Sequence, residues 1–147
     1  MSPADAKRPD RVLIVESRYY PEIADGLIAG ALPLLEEAGL HHERLEVPGV
    51  FEIPAAVRHA AFGGNYAGFL TFGCVIRGET PHFDYVCQET SLGLGAVARA
   101  ADIPVLFGVL TTDTMQQALE RAGSAVRSGP RRRSSNMPTA AACWRAG

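Results

Sequence analysis

The chain has 147 residues, of which 47% are hydrophobic and 20% are charged, a composition that excludes a disordered or fibrous protein and fits one folded domain. No apolar run reaches the roughly 20 residues of a membrane span, and the amino-terminal segment lacks the apolar core of a signal peptide, so we predict a cytoplasmic protein without a membrane partner. The net charge of −2 is unevenly distributed, because residues 121–147 contain 6 arginines and no acidic residue.

Cysteine and lysine usage narrows the chemistry further. The three cysteines, Cys74, Cys87 and Cys143, have no CxxC spacing, which argues against a disulfide framework and against a structural zinc site. The only lysine is Lys7, which lies in a segment, residues 1–10, that we predict to be a flexible arm. A Walker lysine or a buried Schiff-base lysine is therefore excluded.

The first half of the chain predicts two strand-helix pairs. Residues 12–15 are continuously apolar, which is typical of a strand covered on both faces of a parallel sheet. Residues 23–38 show helical spacing and end at Gly39, a typical helix stop. Residues 44–47 alternate like a second strand, and residues 53–62 form a second helix with a proline in its first turn.

The second half repeats this alternation. A strand at residues 68–76 is followed by a polar loop and a long helix at 82–101, in which Gly93 and Gly95 indicate close packing against another element. A strand at 105–110 precedes a short helix with a capping box. The order predicts an α/β fold over residues 11–123, a three-layer sandwich with a four-stranded parallel sheet in flavodoxin-like order.

The polar and aromatic residues of interest follow the carboxyl ends of the predicted strands. Ligands of parallel α/β sheets bind at that edge, where helix N-termini present free amides. An aromatic ring at Tyr19, a carboxylate at Glu52 and the turn that leads to His82 predict a planar polar ligand beside a bound anion.

Each of these residues also has a purely structural interpretation. His82 and Glu52 could cap helices, and Arg121 could compensate a helix dipole. Phe107 lies in an apolar strand and would be assigned to the core from its pattern alone. These residues taken singly therefore do not identify a reaction.

Several longer motifs are more informative about the reaction than these single residues. The segments SRYYPEI, VPGVFEIP, GCVIRGETPHFDYV, FGVLTTDT and ALERAG, in this order, resemble the lumazine synthase family over roughly residues 11–123. The resemblance implies an enzyme of riboflavin biosynthesis, a transferase that condenses 5-amino-6-(D-ribitylamino)uracil with 3,4-dihydroxy-2-butanone 4-phosphate and releases phosphate and water. It implies no metal and no organic cofactor.

The resemblance also implies roles for particular residues. Tyr19 would stack on the pyrimidine, and His82 would transfer protons. Glu79 and Thr80 would bind the phosphate. The pyrimidine and its ribityl chain would contact residues of the second and third strand ends, namely Val50, Phe51, Glu52, Cys74, Val75 and Ile76.

A second group of implied residues depends on assembly. Phe107 and Arg121 would complete the site from a neighbouring subunit, with Arg121 on the phosphate. The resemblance thus implies a homo-oligomer, a pentamer or a multiple of it, that acts on two small-molecule substrates and has riboflavin synthase as a possible partner.

The sequence departs from the family pattern from about residue 124. The family continues after ERAG with an Asn-Lys-Gly turn, whose lysine helps to bind phosphate, and with a final amphipathic helix. Residues 124–147 contain no lysine, no acidic residue and no helical periodicity, and Pro130 and Pro138 oppose a continuous helix. We predict a disordered basic tail there, and our hypothesis is that residues from about 124 onward derive from a shifted reading frame or from an otherwise replaced terminus.

Other functions remain as alternatives. An impaired homologue would bind a lumazine or flavin with little turnover. A thiol hydrolase would use Cys74 with His82. Nucleic-acid binding is disfavoured because the arginine run at residues 131–133 is short and lacks interleaved aromatic residues, and dinucleotide binding is disfavoured because no GxGxxG follows the first strand.

Overall fold

The computed structural model describes residues 9–123. Within that range four strands alternate with four α-helices: β1 Arg11–Ser17, α1 Pro21–Glu37, β2 His41–Val47, α2 Ile53–Ala61, β3 Gly68–Ile76, α3 His82–Ala101, β4 Val105–Thr112 and α4 Met115–Arg121. A short 3₁₀-helix, Val50–Glu52, precedes α2. Residues 1–8 of the predicted arm and the whole predicted tail at 124–147 lie outside the described residues, and both stay predictions.

The four strands form one parallel sheet in the order β2-β1-β3-β4, which confirms the predicted fold class and strand order. Helices α2 and α3 cover one face and build the larger core with it, whereas α1 and α4 cover the other face. The carboxyl ends of the strands meet at one edge, as parallel pairing requires.

The central strand β1 alternates its side chains between these two faces. Leu13 and Val15 join the core under α2 and α3, and Val12 and Ile14 join the core under α1. Both faces are covered, and this is why the sequence shows a continuous apolar run. The strand extends two residues beyond the predicted end, through Glu16 and Ser17, and both of these polar side chains are buried.

The predicted helix ends are confirmed where glycine or threonine specified them. Gly39 has φ +72° after α1, and the N–H of Leu40 donates to the carbonyl oxygen of Leu35 at 2.9 Å. Thr114 caps α4, since its hydroxyl oxygen accepts from the N–H of Gln117 at 3.2 Å. Strand β2 begins at His41, three residues before the prediction, and its residues up to Glu46 are exposed at the sheet edge.

The glycines of α3 behave differently from one another. A Cβ at Gly93 would lie 2.7 Å from Cβ of Pro54, so its absence lets α3 pack closely on α2, as predicted. At Gly95 the close neighbour is the flexible guanidinium of Arg99 on the same helix, so the predicted close packing is absent there. None of the helices within residues 9–123 combines the length and apolar character that a bilayer crossing requires.

Candidate active site

An open groove of about 690 Å³ lies at the carboxyl edge of the sheet, between the ends of β1 and β3. Its walls come from the segment after β1, the 3₁₀-helix, the end of β3 and the first turns of α3. The lining residues are Ser17, Tyr19, Tyr20, Pro48, Gly49, Val50, Phe51, Glu52, Cys74, Val75, Ile76, His82, Tyr85 and Val86. A mostly apolar concavity with few polar groups is typical of a small-molecule site.

The groove brings together eight of the predicted site residues: Tyr19, Val50, Phe51, Glu52, Cys74, Val75, Ile76 and His82. Four predicted residues are not among its lining: Glu79, Thr80, Phe107 and Arg121. Glu79 and Thr80 lie in the loop between β3 and α3, with one proline between them and the groove residue His82, whereas the other two lie on β4 and α4.

The end of β1 holds the groove's exposed aromatic ring. Tyr19 is 73% exposed and meets Tyr20 edge to face, with 5.0 Å between ring centroids. Arg18, between the strand and these rings, turns away from the groove, because its guanidinium donates to Glu16 at 2.9 Å and to Asp25 at 2.5 Å. The open face of Tyr19 is therefore free to stack on a planar ligand.

The buried carboxylate of Glu16 holds the end of β1 in place. The guanidinium of Arg44 on β2 donates to both carboxylate oxygens of Glu16 at 2.8 Å. The hydrogen bonds from Arg44, and next those from Arg18, hold the pKa of Glu16 below its ordinary value, although burial opposes the shift. A buried carboxylate with two guanidinium partners fixes the chain immediately before Tyr19.

The 3₁₀-helix fits against β3 because two positions lack a side chain. A Cβ at Gly73 would lie 2.6 Å from a Val50 methyl carbon, and a Cβ at Gly49 would lie 2.9 Å from the Glu52 carboxylate. Val50 is consequently buried, whereas Phe51 and the carboxylate of Glu52 lie at the surface of the groove. The turn thus presents one aromatic and one acidic side chain to a ligand.

The loop between β3 and α3, residues 77–81, is held in place by the contacts of Arg77. The guanidinium of Arg77 donates to Asp113 at 2.7 Å and to Asp84 at 3.5 Å and lies over the ring of Phe83, so this arginine is already paired. Among residues 9–123, the backbone N–H groups of Glu79 and Thr80 have no acceptor. They precede the 20-residue helix α3, whose N-terminus favours negative charge.

Cys74 lies in the same groove as His82 but is a poor nucleophile. It is buried, and burial raises the pKa of its thiol to about 11. The thiolate is the reactive form of cysteine, and at neutral pH only about one thiol in 10⁴ would carry it. The groove therefore argues against a Cys74/His82 thiol hydrolase.

Phe107 and Arg121 lie away from the groove. Phe107 is half exposed, against the expectation from its apolar strand, and it lines a second, smaller groove of about 310 Å³ together with Ser91, Leu94 and Ala98 of α3. Arg121 is exposed at the end of α4, where its guanidinium donates to the carbonyl oxygen of Gln117 at 3.1 Å.

Several groove residues were missed from the sequence. Tyr85 and Val86 follow His82 by three and four positions, so helical spacing could have placed them on the same face. Ser17 and Tyr20 were harder to predict as groove residues. Their positions depend on the exact end of β1, which decides which residues after the apolar run remain in the sheet.

Comparison with known proteins identifies the family. The family model of 6,7-dimethyl-8-ribityllumazine synthase matches residues 10–143. The chain belongs to this family. Lumazine synthases similar to it include those of Desulfatibacillum aliphaticivorans, 49% identical over 76% of this chain and 74% of the relative, and of Campylobacter lari, 46% identical over 80% and 78%. That of Synechococcus sp. (strain WH7803) is 48% identical over 77% of this chain and 74% of the relative. The resemblance predicted from the motifs is confirmed.

Proposed function

We propose that this lumazine synthase family member condenses 5-amino-6-(D-ribitylamino)uracil with 3,4-dihydroxy-2-butanone 4-phosphate in the groove at the ends of β1 and β3. The observation that carries the proposal is the convergence of an exposed aromatic ring, a carboxylate and a histidine, Tyr19, Glu52 and His82, in one groove of about 690 Å³. Membership of the family supplies the reaction class, and the groove supplies a place for two substrates of this size.

In this proposal the pyrimidine binds on the β1 side. Its ring stacks on Tyr19, whose face is open, and its ribityl hydroxyls contact the segment from Val50 to Glu52. The exposed Glu52 carboxylate accepts hydrogen bonds from hydroxyl groups, and the ends of β3 from Cys74 to Ile76 border the ring. These contacts orient the 5-amino group toward α3.

The phosphate binds on the other side, at the loop before α3. The N–H groups of Glu79 and Thr80 are without acceptors among the described residues, and the N-terminus of α3 adds a favourable dipole. Arg77 is already paired with two aspartates, so a cation for the phosphate must come from another part of the protein. This requirement supports a contribution from Arg121 of a second copy.

His82 is the proton carrier in the proposal. The 5-amino group attacks the ketone carbonyl and water leaves as the imine forms, after which a proton is removed from carbon and phosphate departs. The ribitylamino nitrogen then attacks the remaining carbonyl carbon, and loss of a second water closes the ring. A histidine both accepts and donates protons near neutral pH, and His82 lies at the junction of the two proposed substrate positions.

We also propose that the working enzyme is a homo-oligomer, a pentamer or a multiple of it. Phe107 is 50% exposed on a surface groove and Arg121 is exposed at a helix end, so both are available to a neighbouring copy. Mass photometry of the full chain should give about five times the 15.7 kDa of one chain, or a multiple of that value. A single-chain mass would contradict the assembly. Riboflavin synthase as a partner stays a prediction, and so does the cytoplasmic location.

Turnover tests the activity directly. The purified chain is mixed with both substrates, and the rise in lumazine absorbance is compared with the uncatalysed reaction. Clear acceleration is expected. Tight lumazine binding without acceleration would instead identify the impaired homologue. The absence of both binding and acceleration would overturn the proposed site.

A further inference from the structure

We propose that Ser17 is a substrate-binding residue, whose hydroxyl group hydrogen-bonds the edge of the pyrimidine ring at the floor of the groove. The inference rests on the proposed function and adds a specificity-determining contact to it. Its basis is a buried hydroxyl that lines the groove and lacks a hydrogen-bond partner among residues 9–123.

The direction of the Ser17 side chain follows from the pleat of β1. Leu13 and Val15 face the core under α2 and α3, and side chains two residues apart share a face, so Ser17 points to the same side. It is the position on that face that comes after Val15, at the strand end where the groove begins. Glu16, in contrast, points to the opposite face and its arginine partners.

The neighbour of Ser17 on β3 is a glycine, and the 3₁₀-helix packs into the position where its side chain would be. A Cβ at Gly73 would lie 3.6 Å from Cβ of Ser17 and 2.6 Å from a methyl carbon of Val50. At this point the groove is lined by the small polar side chain of Ser17 and by Val50. A flat ring edge could approach this floor closely.

The Ser17 hydroxyl group differs from the other buried hydroxyl groups. Ser17 is 3% exposed, and a buried hydroxyl normally finds a partner, because leaving one without a partner is costly. The other buried hydroxyls of the described residues, on Thr71, Thr90 and Thr112, each donate to a carbonyl oxygen. A pyrimidine edge presents carbonyl and N–H groups, and a serine hydroxyl pairs with either kind.

The location of Ser17 two residues before Tyr19 fits this role. A ring that stacks on the open face of Tyr19 extends along the groove toward the strand ends, and its edge then faces the floor. Tyr19 would supply the contact area, and Ser17 would supply the polar contact that fixes the rotation of the ring in its plane.

The test compares Ser17→Ala with Thr71→Val in the full chain. Thr71 is buried in β3 two residues before Gly73, but its hydroxyl already donates to the carbonyl oxygen of Leu106 at 2.8 Å, and it does not line the groove. Binding of 5-amino-6-(D-ribitylamino)uracil alone is measured by isothermal titration calorimetry, so the test does not depend on turnover. The melting temperature of each unliganded variant is measured in parallel.

We expect Ser17→Ala to weaken pyrimidine binding about five- to tenfold without lowering the melting temperature, because it removes a hydroxyl that has no partner in the free protein. Thr71→Val should lower the melting temperature and leave the Kd within about twofold of wild type. The KM for the butanone phosphate should be unchanged in Ser17→Ala.

A Kd for Ser17→Ala within about twofold of wild type would overturn the inference while leaving the proposed function intact. An equal loss of affinity for both substrates would also overturn it, since that result indicates a structural role. Failure of the wild-type chain to bind the pyrimidine at all would overturn the proposed function and the inference together.

Discussion

Strand β1 reaches the groove through two buried residues, whereas the loop before α3 borders the groove with exposed ones. Glu16 and Ser17 are almost completely buried, and the guanidinium groups of Arg18 and Arg44 fix the former. On the other side, residues 77–82 are all exposed. We infer that recognition of the pyrimidine is preformed within one chain, and that the phosphate side is completed by other groups.

The largest expected effect is a loss of kcat from a substitution on the exposed side of the groove, residues 77–82. His82→Ala should lower kcat about 100-fold or more, because it removes the proposed proton carrier while the β1 side remains intact. His59→Ala is the matched control, since His59 is exposed in α2 and does not line the groove. A kcat for His82→Ala close to that of the control would exclude His82 from the chemistry.

A smaller effect is expected from the buried carboxylate. Glu16→Gln should lower the free energy of unfolding by about 2 kcal/mol at pH 7, because its charge-assisted hydrogen bonds are lost. The pKa of Glu16 is lowered in the folded state, so its stabilisation is present above the ordinary value of 4.5 and is lost as the pH falls through the folded value. Urea unfolding between pH 7 and pH 3 should therefore show that the free energy of unfolding falls less with decreasing pH in the variant than in the wild type.

The exposed pair of Glu43 and Arg11 provides the control for that experiment. The Glu43 carboxylate accepts from exposed Arg11 and from the Tyr66 hydroxyl, and both contacts are at the surface, so Glu43→Gln should change stability far less than Glu16→Gln does. Equal losses in the two variants would refute the view that the β1 side is anchored by its buried carboxylate.

Tyr19→Ala should raise the KM for the pyrimidine about fivefold, because one stacking contact is lost. Tyr19→Phe should keep the wild-type KM, since the stacking ring is retained and the hydroxyl group has no assigned role. Steady-state kinetics at saturating butanone phosphate measures both variants. An unchanged KM in Tyr19→Ala would remove the ring from the site.

The smallest effect is expected at Cys74. With a thiol pKa of about 11 and a buried side chain, it should react slowly with iodoacetamide at pH 7, and activity should persist while Cys87 is alkylated. Peptide mass spectrometry identifies which thiol has reacted. Loss of activity in step with alkylation of Cys74 would revive the thiol mechanism.

The sequence predicted the fold more completely than the site. The apolar runs of β1 and β3 reveal strands buried on both faces, and Gly39 and Thr114 mark helix ends, because these signals are local. The burial of Glu16 depends on Arg44, 28 residues away, and the packing of Val50 depends on Gly73, so neither follows from local pattern. The pattern alone assigns Phe107 to the core, because periodicity does not show that half of this side chain stays exposed on the edge strand β4.

The shared site is tested most directly by mixing two impaired variants, His82→Ala and Arg121→Ala, after joint dissociation and reassembly. In the proposed oligomer each mutation would spoil a different half of every site, so about a quarter of the sites in a random mixture should combine two intact halves. We predict turnover near that fraction of wild type at low butanone phosphate. Turnover no higher than the average of the two variants alone would contradict a site completed by a second copy.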